Sequence, residues 1–330
     1  MMRLLYFTDT HIRGTSPRGR IDDFFDSMKQ KLTEIIQIAE ENKVHYVLHG
    51  GDVFDRPNLS PSVVREFAQL FREFSVPVFA IAGNHDIYGH NPATVDRTML
   101  GLLEAFGILT LIKRNDCTVL TDGTYRVQLT GQPFHYDLDK RNIADDYAVT
   151  NQTKADYCIH MVHGMLVEKA LPEGVPHTMV SSLLEMESDA DILLTGHYHA
   201  GFRMQHKNNK YIINPGSIAR LSNQQAEIKR IPQVVLIELD KEIRIRFQKL
   251  ASASRGEDIF DRSFQEEAQY RQEKWAQFAQ EVSAAGIYQG IQVEEIIEEI
   301  AKIDVLDSAV KREALKRIGE VQEMEGEKES

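Results

Sequence analysis

Five short polar blocks follow apolar segments within the first 200 residues. They are Asp9-Thr10-His11, Gly51-Asp52 with Asp55 three residues further on, Gly83-Asn84-His85-Asp86, His163-Gly164 and Gly196-His197-Tyr198-His199. All of them carry carboxylate, imidazole or amide groups, which bind divalent cations. Burying several carboxylates without a compensating charge costs several kcal/mol, so unrelated structural roles do not account for the whole set. The blocks therefore predict a metal site.

The number of candidate ligands indicates two ions rather than one. The seven side chains are Asp9, His11, Asp52, Asn84, His163, His197 and His199. If one carboxylate is shared, they divide into two sets of four around ions about 3.5–4 Å apart, an arrangement that phosphate chemistry uses. Oxygen and nitrogen ligands without cysteine favour Mn²⁺, Fe²⁺ or Zn²⁺ over Mg²⁺, and we expect Mn²⁺. Such a pair activates water and neutralises phosphate charge, which predicts hydrolysis of a phosphate ester.

The elements that must position these blocks alternate between strand and helix. The pattern predicts strands at 3–8, 44–49 and 76–81, and helices at 22–42, 61–74 and 94–106. Later segments are rich in strands: 118–120, 126–130, 157–162, 191–195, 211–213, 233–239 and 243–250. This predicts an α/β fold with a second sheet packed on the first. Alternation along an extended chain would also place the side chains of Asp9 and His11 on one side, with Thr10 facing away.

The ordered blocks resemble the calcineurin-like metallophosphoesterase superfamily. Within it, the GDVFDR, GNHD and TGHYH blocks, followed by Asn214-Pro215-Gly216-Ser217, are most similar to the SbcD-type nuclease subunit of bacterial and phage double-strand-break repair complexes. The resemblance implies a two-sheet metallophosphoesterase β-sandwich flanked by helices, with a helical C-terminal extension. Because eukaryotic relatives carry His at the position of Asp55, it also implies a bacterial or phage origin.

The resemblance further implies individual roles. It assigns Asp9, His11 and His199 to one ion, Asn84, His163 and His197 to the other, and Asp52 to both. His85 would face the scissile phosphate and stabilise or protonate the leaving oxygen, oriented by Asp55. Arg13 and Arg56 are candidate phosphate or DNA contacts, although both also fit as ordinary solvated arginines.

Charge is unevenly distributed along the chain. The net charge is −12 over 330 residues, but residues 251–330 hold 10 Lys and Arg against 19 Asp and Glu. The remainder is nearly balanced, and two divalent ions would offset the carboxylates of the site, so DNA stays a possible substrate. No segment reads as a signal peptide or membrane span. Cys117 and Cys158 are expected to be reduced core thiols, and we predict a cytoplasmic protein without membrane contact.

Composition divides the chain into three predicted parts. Residues 1–250 form the metallophosphoesterase core, 251–290 a reduced cap or linker with one helix, and 291–330 an amphipathic helix-turn-helix hairpin. The resemblance implies that the hairpin binds an SbcC-type ABC ATPase and that the protein forms a homodimer. A hairpin docked on its own domain is the alternative.

Three functions are compatible with these motifs. The leading one is a two-metal-dependent phosphodiesterase, an SbcD-like DNA exonuclease and endonuclease subunit acting with an SbcC-type ATPase in DNA repair or recombination. The alternative is a metal-dependent phosphatase or phosphodiesterase acting on a small molecule or nucleotide, because fold does not fix substrate. A non-catalytic scaffold is disfavoured because every ligand position is filled.

Overall fold

Two six-stranded mixed sheets form the centre of the molecule, as seen in a computed structural model that describes residues 1–261. The strands are β1 (Met2–Phe7), β2 (Tyr46–His49), β3 (Val78–Ala80), β4 (Thr110–Leu111), β5 (Cys117–Thr121), β6 (Arg126–Gln132), β7 (Tyr157–Val162), β8 (Leu166–Val167), β9 (Thr178–Met179), β10 (Ile192–Thr195), β11 (Gln205–Lys207), β12 (Lys210–Ile213), β13 (Gln233–Leu239) and β14 (Ile243–Lys249). The first sheet has the order β14-β13-β1-β2-β3-β4 and the second β11-β12-β10-β7-β6-β5. Strands β8 and β9 form a separate pair.

Helices cover the outer faces of both sheets. They are α1 (Phe24–Glu41), α2 (Pro61–Phe71), a 3₁₀ helix (Pro92–Arg97), α3 (Met99–Ala105), α4 (Ala144–Tyr147), α5 (Val180–Glu185), α6 (Gln225–Lys229) and α7 (Gly256–Ile259). The longest, α1, begins after Asp23, whose side chain accepts a hydrogen bond from the Asp26 N–H. Its apolar stripe faces the first sheet.

Alternation along β1 explains the layers. Leu5 and Phe7 belong to the core beneath the helices of the first sheet, whereas Leu4 and Tyr6 belong to the core between the two sheets. A third core lies on the far face of the second sheet, against α4 and α5. The resulting order of helices, sheet, sheet and helices confirms the predicted α/β sandwich.

Two local predictions were wrong. The helix expected over 94–106 is divided at Thr98, which is extended (φ −114°, ψ 170°) and accepts a hydrogen bond from the Gly101 N–H through its hydroxyl. A threonine that caps a new helix in this way ends the preceding turn. Cys117 is exposed on the edge strand β5, and only Cys158 is a buried thiol.

Residues 251–261, the described part of the predicted cap or linker, are bonded to the rest of the fold. Arg220 donates a hydrogen bond to the Ser254 carbonyl, and the Ile21 N–H donates to the Ile259 carbonyl at 3.0 Å. Phe260 is buried. The predicted remainder of the cap, its helix and the hairpin at 291–330 lie outside the described residues. Within residues 1–261, no helix combines the length and apolar character needed to cross a membrane.

Candidate metal centre

Loops that follow the parallel strands of both sheets meet at one edge of the sandwich. The loops after β1, β2 and β3 carry Asp9, Asp52 and Asn84, and the loops after β7 and β10 carry His163 and His197. The carboxyl ends of neighbouring parallel strands lie together, which is where ligand sites form in α/β folds. The His197 N–H donates to the Asp9 carboxylate at 3.1 Å and thereby links the two sheets at this edge.

The backbone that presents these side chains is not extended, which corrects the sequence argument for Asp9 and His11. Strand β1 ends at Phe7, and both residues have positive φ values, 55° and 41°. Asp52 and His197 are also left-handed, with φ of 51° and 69°. Non-glycine residues adopt this region at a cost and tend to do so at functional sites. Backbone hydrogen bonds from Asp9 to Gly51 and from His11 to Asp52, both 3.0 Å, hold the turns together.

The residues predicted for the first ion lie close together. One ligand atom from each of Asp9, His11, Asp52 and His199 falls within 4.8 Å of all the others. The Nε2 atoms of His11 and His199 are 3.0 Å apart, and His11 Nε2 lies 3.4 Å from Asp52 Oδ2. Three of the four side chains are fully buried, whereas that of His199 is 28% exposed. Substrate can therefore approach from the side of His199.

The residues predicted for the second ion form an adjoining group that also contains Asp52. Atoms of Asp52, His163 and His197 satisfy the same 4.8 Å limit, and Asn84 Oδ1 lies 3.3 Å from His163 Nε2. His163 Nδ1 donates to the Gly50 carbonyl at 2.8 Å, because a carbonyl can only accept. This bond leaves Nε2 of His163 as the ligand atom, facing Asp52 Oδ2 at 3.3 Å.

The electrostatics of the two groups fit divalent cations. Burial would raise the pKa of Asp52, but the His163 and His11 imidazoles hold it well below its usual value. Burial opposes a charge on His163, yet Asp52 raises its pKa to about 9, so a cation between these two side chains would have to replace the proton that His163 Nε2 shares with Asp52. Burial lowers the pKa of His197 to about 3, so this imidazole is neutral, as metal ligation requires. Among the described residues, Asp52 Oδ2 has no hydrogen-bond partner. A buried, ionised and unpartnered oxygen facing imidazole nitrogens suits a shared metal ligand.

His85 lies beside the first group, with its ring centre 4.7 Å from that of His11. The backbone N–H of His85 donates to Asp52 Oδ1 at 2.8 Å, and the ring Nδ1 of His85 donates to the backbone carbonyl of Asp55 at 2.8 Å. Asp55 therefore contacts the His85 ring through its main-chain carbonyl. The Nδ1 bond leaves Nε2 as the atom that can exchange a proton with substrate.

The Asp55 carboxylate instead lies between His11 and Arg13, with distances of 3.7 Å to His11 Nδ1 and 3.1 Å to Arg13 Nη1. Burial would raise the pKa of Asp55, but the neighbouring His11 imidazole and the charge of Arg13 lower it. Arg13 is therefore committed to an ion pair at the site. Arg56 is exposed next to Asp55 in sequence.

Two further residues of the sequence motifs, for which no role was predicted, support the site. Asp86, fully buried, accepts hydrogen bonds from the N–H groups of Val53, Phe54 and Gly83 and so ties the two loops that carry Asp52 and Asn84. Burial and the neighbouring Asp52 raise the pKa of Asp86 to about 7. Ser217, also buried, donates to the Asp9 carbonyl at 2.8 Å. The GNHD and NPGS motifs were the signals that could have identified both.

Two known proteins are similar to this chain in sequence. Double-strand break repair protein MRE11 of Encephalitozoon cuniculi is 26% identical over 282 residues, which cover 76% of this chain and 48% of that protein. DNA double-strand break repair protein Mre11 of Archaeoglobus fulgidus is 24% identical over 245 residues, 68% of this chain and 52% of that protein. The chain thus spans about half the length of these two relatives.

The family comparison covers the part of the chain that contains all seven predicted ligands. The calcineurin-like phosphoesterase model matches residues 2–201, from the first strand to just beyond His199. The match includes more than half of the 330-residue sequence. Together with the two-sheet sandwich and the two adjoining ligand groups, this match shows that the chain belongs to the calcineurin-like phosphoesterase family.

Proposed function

We propose that this protein is a two-metal-dependent phosphodiesterase that cleaves DNA. The observation that carries the proposal is the position of Asp52, whose buried carboxylate belongs to both ligand groups. The ligands would be Asp9, His11 and His199 for one ion, Asn84, His163 and His197 for the other, and Asp52 for both. When bound, two divalent ions activate water as a nucleophile and neutralise the charge that develops on phosphate. We propose Mn²⁺ as the ion, because the set mixes imidazole nitrogen with carboxylate and amide oxygen.

His85 is proposed to act on the leaving oxygen. The Asp55 carbonyl fixes the Nδ1 hydrogen, so the imidazole can present Nε2 toward a phosphate that approaches the half-buried site. Arg13, held by Asp55, and the exposed Arg56 are proposed to contact phosphate oxygens.

DNA is proposed as the substrate because both relatives reported above are named as double-strand break repair proteins. An SbcC-type ATPase bound through residues 291–330, a homodimer, and a bacterial or phage source complete the proposal. The proposed homodimer is supported by exposed apolar side chains near α2 and α3, where Leu102 is 39% and Phe106 70% exposed.

The site is tested by two variants that separate metal binding from chemistry. Asp52→Asn should lose both Mn²⁺ ions and all activity, whereas His85→Ala should bind two ions and lose turnover. Bound Mn²⁺ is measured by elemental analysis after dialysis, and activity on linear duplex DNA, single-stranded DNA and bis-p-nitrophenyl phosphate. Loss of metal in His85→Ala would contradict the separation of roles.

The substrate is tested in the same assays with a coexpressed ATPase partner. Hydrolysis of the small diester without any DNA cleavage would instead favour the phosphatase or small-molecule phosphodiesterase. Deletion of residues 291–330 should spare hydrolysis of the small diester and abolish binding of the ATPase. Retained ATPase binding by the truncated chain would refute the proposed role of this segment.

A further inference from the structure

The loop of residues 214–219, which connects β12 to the segment before α6, holds the backbone of two residues proposed for the first ion. The Ser217 hydroxyl and the Ala219 N–H both donate to the Asp9 carbonyl, at 2.8 and 3.0 Å. The Ser217 N–H donates to the His199 carbonyl at 3.1 Å. The loop therefore joins the first and last ligands of that group, which are 190 positions apart in sequence and come from different sheets.

Arg230, the residue directly after α6, holds this loop from the opposite side. Its guanidinium donates to the Ala219 carbonyl at 2.7 Å and also to the Ser217 carbonyl. The Arg230 side chain is only 9% exposed, and Glu227 accepts from it with both carboxylate oxygens at 3.2 Å. Gly216, at φ 82°, lets the chain pass close to this side chain: a Cβ there would lie 3.2 Å from Arg230 Cδ.

A buried guanidinium is a costly way to fill space, since a well-packed apolar group of similar volume is often at least as stabilising. What it supplies here is directional hydrogen bonding: a rigid planar fork that reaches two carbonyl oxygens and a carboxylate together. A lysine ammonium presents its three donors from one point and cannot reproduce this arrangement. The arginine therefore fixes the shape of the loop rather than merely occupying its interior.

We propose that Arg230, paired with Glu227, is a positioning residue for the first metal ion. It fixes the 214–219 loop, and the loop in turn fixes the backbone of Asp9 and His199. This inference rests on the proposed two-metal function. The second group depends less on the loop parts that Arg230 holds: the His163 imidazole is oriented by the Gly50 carbonyl and faces Asn84, neither of which lies in the loop, while His197 is tied to the Asp9 carboxylate through its backbone N–H. Disturbing Arg230 should therefore weaken one ion selectively.

The test measures Mn²⁺ binding to the intact chain by calorimetry and by electron paramagnetic resonance. Wild type should bind two ions and show a spin-coupled pair. Arg230→Lys should weaken one class of site by about 10- to 100-fold, the usual effect of losing an outer-shell partner, and give the spectrum of isolated Mn²⁺. The Mn²⁺ site weakened in Arg230→Lys should be the site that is lost in His199→Ala, and not the site that is lost in Asn84→Ala.

Arg20→Met is the matched control. Arg20 is a second buried arginine, with a side chain of 0% exposure, that donates to the Arg220 carbonyl at 2.9 Å and to Asp22, and none of these hydrogen bonds reaches residues 214–219. This variant leaves the Asp22 carboxylate and the Arg220 carbonyl without their donor, so it should lower the unfolding temperature while both ions bind as in wild type. Ser217→Ala is a second test should Arg230→Lys not fold, because it removes the hydroxyl that bonds to Asp9 and must produce the same selective loss.

Three results would overturn the inference: equally weakened binding of both ions, unchanged binding in both Arg230→Lys and Ser217→Ala, or selectively weakened binding of one ion in Arg20→Met. A wild-type protein that binds no Mn²⁺ would instead refute the proposed function.

Discussion

Gly83 allows the Asp52 carboxylate to reach both ligand groups, and this gives the sharpest prediction from the structure. A Cβ at position 83 would lie 2.1 Å from Asp52 Oδ1 and 2.4 Å from the Asp52 N atom. Non-bonded carbon and oxygen atoms do not approach closer than about 3 Å, so Gly83→Ala must move Asp52 or its own loop by about 1 Å. The Oδ1 atom is also the acceptor for the His85 N–H at 2.8 Å.

The two consequences of this movement differ in size. Overpacking in a rigid interior costs about 1–3 kcal/mol of unfolding free energy. Metal–ligand distances tolerate only about 0.2 Å, so a shift of about 1 Å removes the shared ligand from both ions. Loss of an outer-shell partner already weakens metal binding about 10- to 100-fold, and loss of the shared ligand should exceed this for each ion. The protein should therefore stay folded but bind little Mn²⁺.

Bound Mn²⁺ by elemental analysis and the unfolding temperature by calorimetry distinguish these effects. Gly101→Ala in α3 is the control, because a Cβ there meets the Val95 carbonyl oxygen of the preceding 3₁₀ helix at 2.2 Å, and neither element contributes a predicted ligand. It should lose stability and keep both ions. Two ions bound to Gly83→Ala with wild-type affinity would refute the view that Asp52 is a shared ligand held by close backbone packing.

Three further predictions concern residues around the site. Burial lowers the pKa of His160 below 6.5, so the unfolded chain takes up a proton there that the folded protein does not. The free energy of unfolding should therefore fall as pH drops below 6.5, by at most about 1.4 kcal/mol per pH unit. Denaturant titrations of His160→Gln should show a weaker pH dependence. Asp86→Ala leaves three buried N–H groups without their acceptor and should lower the unfolding free energy by about 2–4 kcal/mol; an unchanged urea midpoint would contradict this. The Phe134 ring packs against His163 and His197, with ring centroids 6.3 and 5.4 Å apart. Phe134→Ala should therefore weaken binding of the second Mn²⁺ about 10-fold and leave binding of the first unchanged, which calorimetry would measure.

The core elements were predictable because their signals are local. The apolar stripe from Phe24 to Ala39 specified α1 within two residues at its start and one at its end. The strands Tyr157–Val162 and Gln233–Leu239 match their predicted bounds. The helix break at Thr98 was missed because a hydroxyl can cap a new helix or continue the old one, and packing decided between them.

The sequence alone determined the identity of the candidate ligands and the edge of the sheets where they would meet, because residue type and strand ends are local properties. Tertiary structure decided how they meet. Asp9 and His11 converge through left-handed turns held by hydrogen bonds to residues 51 and 52, not through strand alternation. Asp55 orients His85 through its carbonyl, and Arg230 reaches Asp9 and His199 only through a loop more than 200 positions after Asp9. Backbone conformation and contacts between distant segments depend on the whole packed sandwich, so no local pattern records them.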